Sequence, residues 1–102
     1  MESKEITERK KIISSKLGNL MKRIVLQELS DKAKDYNFTL EVSSHGNHFR
    51  FEVCKGLASV EQIEYFCLRW AIDQNITYFN EIASLIDKSE LLFIKYSNLN
   101  KQ

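Results

Sequence analysis

The sequence predicts an α+β domain: helices first, a central antiparallel β-hairpin, then further helices. Three observations carry that prediction. The first 35 residues repeat apolar side chains at helical spacing; two runs alternating apolar and polar residues flank the segment SSHGNHFRF (43–51); helical spacing resumes after residue 59. A chain of 102 residues can bury one core, and 43% hydrophobic with 28% charged residues is the composition of a folded chain. Residues 1–102 are therefore expected to form a single domain.

The N-terminal element covers residues 4–35, with Ile6, Ile13, Leu17, Leu20 and Ile24 in one apolar stripe. Unbroken, it would be roughly 48 Å long at ~1.5 Å per residue, against a radius of gyration of ~13 Å expected for a domain this size. A break or bend is therefore expected within Ser14–Asn19, where Ser and Asn can cap a new start and Gly18 weakens an interior. Two helices are expected, with one long bent helix as the alternative.

The hairpin spans about 38–54. Phe38, Leu40 and Val42 share a face with Phe49, Phe51 and Val53 only if Val42 lies opposite Phe49 and Leu40 opposite Phe51. Opposed positions then sum to 91 and the loop has two or four residues, since a three-residue loop would turn one strand's apolar side outward. Gly46 supplies the positive φ of such a turn. The other face pairs Ser43 with His48, Glu41 with Arg50 and Thr39 with Glu52.

Ser59 with Gln62 reads as a capping box, and Ala58 with Ile63 as a hydrophobic staple. A helix is therefore expected there, burying Val60, Ile63, Phe66, Cys67, Trp70 and Ala71 and fading at 73–75. Tyr65, Leu68 and Ile72 lie off that stripe, which points to a homodimer contact. A short helix should start near Ile76 and run through Phe79, Ile82 and Leu85-Ile86. Leu91 to Tyr96 is too short an apolar run to assign and fits a third strand or a helical turn; residues 97–102 are expected to fray.

Several function classes fall away. The longest apolar runs, such as Leu91–Ile94, are too short to span a membrane. The opening MESKEITERKK lacks an apolar core, so a cytoplasmic protein is expected. No phosphate loop, GxSxG or HExxH occurs, and the polar hairpin residues lie on an open face, so neither catalysis nor a small-molecule substrate is expected. His45, His48, Cys54 and Cys67 are the residue types that hold zinc, but six strand residues at ~3.3 Å each set His48 roughly 20 Å from Cys54. No metal and no cofactor is expected.

Charge points to an anionic partner. Arg9, Lys10, Lys11, Lys16, Lys22 and Arg23 give residues 9–27 a charge of +6 with no acid, whereas six bases face eight acids from residue 37 onward. Arg9, Lys16 and Arg23 recur every seven residues, which would make a basic edge on a continuous helix. Double-stranded DNA fits these parts. A two-stranded ribbon can enter a groove, where His45, Asn47, His48 and Arg50 would supply hydrogen-bond donors. Arg9, Lys10, Lys11, Lys16 and Arg23 would contact phosphates. For Arg50, a surface ion pair with Glu41 is the competing reading.

A basic helical region, a polar-tipped hairpin and a following helix, over about residues 5–75, resemble the winged helix-turn-helix superfamily, with the hairpin as the wing. Length and layout are also similar to the small TcpK-type winged-helix proteins of clostridial conjugative plasmids, which bind the origin of transfer. The resemblance implies DNA contact dominated by the wing, in plasmid transfer (conjugation) or in transcription regulation at an operator. A standard winged helix sets about three helices before its wing; only 36 residues precede this hairpin, so later helices or a partner subunit must complete the core. A rival helix-turn-helix, EIASLIDKSELLFIK (81–95), has one basic and four large apolar residues in Ser89–Lys95, the composition of a core element. The alternative class is a protein-binding module (chaperone, inhibitor or assembly factor) acting through the apolar face of the Ser59 segment.

Overall fold

Two 25-residue helices bracket a three-stranded antiparallel sheet. The computed structural model describes residues 4–30, 34–42, 48–66 and 76–100. In chain order the elements are α1 (Lys4–Glu28), β1 (Tyr36–Val42), β2 (His48–Lys55), β3 (Ala58–Phe66) and α2 (Ile76–Asn100). The α+β class and the central hairpin are as the sequence predicts. No helix among the described residues is long and apolar enough to cross a membrane.

Helix α1 runs unbroken through Ser14–Asn19, so the two helices expected there are one, as in the single-helix alternative. Gly18 costs ~1 kcal/mol relative to Ala in a helix interior. Leu20 and Ile24 beyond it are buried, each gaining ~1.5–3 kcal/mol, so continuity wins. The size argument for a break assumed a near-spherical body. The molecule instead measures 49 × 22 × 19 Å with a radius of gyration of 15.0 Å, and α1, about 37 Å long, fits along its length.

Strands β1 and β2 pair in the expected register: Val42 opposite Phe49, Leu40 opposite Phe51, Thr39 opposite Glu52, Glu41 opposite Arg50. Phe49, Phe51 and Val53 are buried on the helix side. The loop 43–47, with its turn type and the Ser43–His48 pair, lies outside the described residues.

The segment read as a capped helix from Ser59 is instead strand β3. A capping residue stabilises a helix by only ~1 kcal/mol. Against it stand the β-favouring Val60, Ile63 and Tyr65, and an open edge of β2 whose backbone groups need partners. The reversal is made by Gly56-Leu57, with Gly56 at φ +63°, a value that favours glycine. From residue 61 the strand alternates: Ile63 and Tyr65 face the helices opposite Phe51 and Phe49, while Gln62 and Glu64 face outward. A register shift between Val53 and Cys54 leaves Val60 as the extra, exposed residue rather than a buried one. Cys67, Leu68, Trp70, Ala71 and Ile72 lie outside the described residues, so of the expected dimer contact only Tyr65 is seen, half-buried against the core.

Helix α2 also exceeds expectation: one helix spans the short helix, the unassigned Leu91–Tyr96 run and residues 97–100. Its buried residues Phe79, Ile82, Ile86, Ser89, Phe93 and Tyr96 alternate steps of three and four, a continuous helical seam. Ser89, the polar member, donates its hydroxyl to the Leu85 carbonyl at 2.8 Å and so fits inside it. The seam packs on Phe38, Phe51 and Val53 and on Leu20 and Ile24 of α1. Tyr96 stacks obliquely on Tyr36 at 4.8 Å. Its hydroxyl hydrogen-bonds to Glu61, which pushes the phenol pKa up. Asn100 then pins the start of β1: its amide oxygen accepts from the backbone N–H of Asp35 (3.0 Å) and Tyr36 (2.8 Å), and its amide nitrogen donates to the Tyr36 carbonyl (2.9 Å).

Candidate nucleic-acid interface

The two helices are parallel. Lys10 sits 6.0 Å over the Phe79 ring, Lys16 pairs with Asp87, and Arg23 pairs with Glu90 at 3.0 Å and lies 5.2 Å over Phe93, so contacts climb both helices in the same sense. Both N-termini therefore share one end of the molecule. A hollow of about 240 Å³ fixes which end: Lys10, Ile13 and Leu17 of α1 and Phe79 and Ile82 of α2 line it together with Val42 and Phe49. Val42 closes β1 and Phe49 follows His48 at the start of β2, so this is the hairpin-tip end.

Each helix N-terminus carries roughly half a positive charge. Helix α2 has no acid in its first turn, and α1 has Glu5 alone. Arg9, Lys10 and Lys11 add to the same end. Lys11 reaches Glu8 at 3.9 Å across an exposed pair, worth at most ~1 kcal/mol, so an incoming phosphate can displace it.

Lys16 and Arg23 have a structural task, tying α1 to α2 through Asp87 and Glu90. Of the expected groove readers, His45 and Asn47 lie outside the described residues. Arg50 is engaged from several sides on the open face of the sheet. It donates through Nη2 and Nε to Glu41 (2.9 and 3.3 Å) and through Nη1 to Glu52 (3.5 Å). Hydrogen bonding by Arg50 lowers the Glu41 pKa, and the same bond raises that of Arg50. His48 Nε2 meets Glu64 at 3.2 Å. With Glu41, Glu52 and Glu64 around one guanidinium and one imidazole, this face repels phosphate close to the tip, so its cations do not simply add to those of α1.

Glu64 is the functional neighbour that sequence reasoning missed, because its segment was read as helix. Two signals could have found it: Gly56-Leu57 as a hairpin turn, and the outward Gln62 and Glu64 alternating with inward Ile63 and Tyr65. Cys54 is a protonated thiol; burial, then its 3.3 Å hydrogen bond to Glu52, pushes its pKa up. Among the described residues no three His, Cys, Asp or Glu side chains come together as metal ligands. Comparison with family models, curated proteins and solved structures finds no match to this chain.

Proposed function

We propose that this protein binds double-stranded DNA sequence-specifically through its hairpin-tip end. The hairpin loop, with His45 and Asn47, enters a groove beside His48, and Arg9, Lys10 and Lys11 hold the flanking phosphates. The supporting observation is the convergence at that end: Lys10 borders the same hollow as Val42 and Phe49, and both helix N-termini point there. Arg50 takes part only by exchanging Glu41 for a DNA acceptor, and Lys16 and Arg23 act as struts between the helices. Binding as a homodimer, in the cytoplasm, at an origin of transfer or an operator completes this reading, in line with the winged-helix resemblance.

The test is fluorescence anisotropy with labelled duplexes from the protein's own genetic neighbourhood, across a salt series. Replacing Arg9, Lys10 and Lys11 together by Ala should flatten the slope of log K against log salt by roughly 2.7, at ~0.9 per phosphate contact. A His45→Ala/Asn47→Ala protein should keep that slope and lose discrimination between target and scrambled duplex. Failure to bind long duplexes at low salt sinks the reading and leaves the protein-binding alternative in possession.

A further inference from the structure

On the outer side of the parallel helices, away from the hairpin tip, lies a groove that DNA binding does not use. Two hollows of about 410 and 580 Å³ meet there and share Arg23 and Leu26. Apolar surface is open in it: Leu26 is 59% exposed and Ile94 37%, above the buried Phe93. Its rim is cationic. Lys16, Lys22, Arg23 and Lys34 border the hollows, and Glu90 is the one carboxylate among the lining residues. Adding Asp87, the partner of Lys16, leaves four cations against two carboxylates, a net charge of +2. Gln27 Oε1 and Ser97 Oγ, both from residues lining the smaller hollow beside Phe93, are buried without a partner among the described residues; Ser97 is only 9% exposed.

We propose that this groove binds an acidic amphipathic helical segment of a partner protein. Its apolar side chains would rest on Leu26 and Ile94, and its carboxylates would face Lys22 and Lys34, beside the Arg23–Glu90 pair. A helix laid along a groove presents one apolar stripe at spacings of three and four and keeps its charges on the flanks, which matches an apolar floor between cationic rims. Duplex DNA would meet the same cations but set its phosphates against Leu26 and Ile94, stripping them of water with no donor in exchange. Helix α1 of a second copy does not supply the segment: it leaves Met21, Val25 and Leu29 exposed, but its flanks are basic where the groove needs acids.

The probe is a fluorescein-labelled peptide of about 20 residues, enough for a ~30 Å helix, with leucines at i, i+3, i+4 and i+7 and glutamates between them. Anisotropy with the full chain should show saturable binding below ~1 mM, the weak end of specific recognition. Leu26→Glu and Lys22→Glu, both at exposed positions and checked for folding by circular dichroism, should each weaken it by about tenfold or more, ~1.4 kcal/mol. A same-composition peptide with its leucines scattered around the helix should bind far more weakly. Absence of binding at ~1 mM, equal binding of the scattered peptide, or insensitivity to Leu26→Glu would overturn the proposal. So would displacement of the peptide by duplex DNA, which would give the groove to nucleic acid. Duplex affinity measured on the Leu26→Glu protein is the independent control: it should be unchanged whether or not the tip reads sequence.

Discussion

The two ends of the helix pair use polar chemistry in opposite ways. At the hairpin-tip end the helix N-termini and the exposed Lys11 face outward, while half-buried Lys10 also rests over the core ring of Phe79. At the other end Lys34 and Asn100 turn their polar groups inward. Lys34 donates to the carbonyls of Glu28 (3.3 Å) and Ser30 (3.1 Å), neutralising the C-terminus of α1, and Asn100 binds the first peptide units of β1. One end is held together by its polar groups; the other displays them. A pair of parallel helices makes this division natural, because their dipoles add rather than cancel.

The sharpest way to break that comparison is at Asn100. Asn100→Ala removes three hydrogen bonds and strands the N–H of Tyr36, so it should cost about 1–3 kcal/mol by chemical denaturation. Hydrogen exchange at Tyr36 should accelerate beyond what global destabilisation explains. The counterpart at the display end, Lys11→Ala, should stay within ~0.5 kcal/mol of the parent. Equal effects at the two ends would erase the distinction.

Gly18 lies between the ends and tests whether α1 is one rod joining them. Space around it is open, with nothing within 4 Å of an added Cβ. Gly18→Ala should therefore stabilise the protein by up to ~1 kcal/mol and raise helicity in circular dichroism. If the segment were instead a junction of two helices, with Gly18 serving the turn, the same change would destabilise.

That junction was the expectation from sequence, and the reason it failed is instructive. The local signals were real: serines, an asparagine and a glycine within six residues. Each is worth about 1 kcal/mol or less, and the seam through Leu20 and Ile24 outweighs them. The same imbalance hid β3, whose capping box lost to the pairing demand of β2, and the length of α2, where Lys88-Ser89-Glu90 looks like an interruption until Ser89 bonds back to Leu85. The β1–β2 register was legible because period-two alternation restricts the pairing to registers that bury both strands, and a short loop between Val42 and Phe49 selects among them. Of the candidate site, the Glu41–Arg50 pair follows from that register and was foreseen. The grip of Glu64 on His48 needed the third strand, and the meeting of Lys10 with the hairpin needed the direction of α2. Long-range placement of this kind leaves no periodic trace in sequence.

The smallest expected effect lies on the open sheet face, one residue pair from the hairpin tip. Hydrogen bonding by Arg50 lowers the folded-state pKa of Glu41 from its ordinary 4.5. A depressed carboxylate stabilises the fold above its unfolded pKa, and that contribution is lost as pH falls through the folded value. Glu41→Gln should therefore be slightly less stable than the parent at pH 7, and the gap should close as pH drops below 4.5. Urea midpoints of both proteins at neutral and acidic pH measure the convergence. The variant also frees part of Arg50, since Glu52 at 3.5 Å is its weaker partner. If Arg50 reaches DNA only by giving up Glu41, Glu41→Gln should bind duplex more tightly than the parent while folding less stably. A variant weaker in both respects would mean that Glu41 holds Arg50 where DNA needs it, and the open face would then belong with the display end rather than with the structural one.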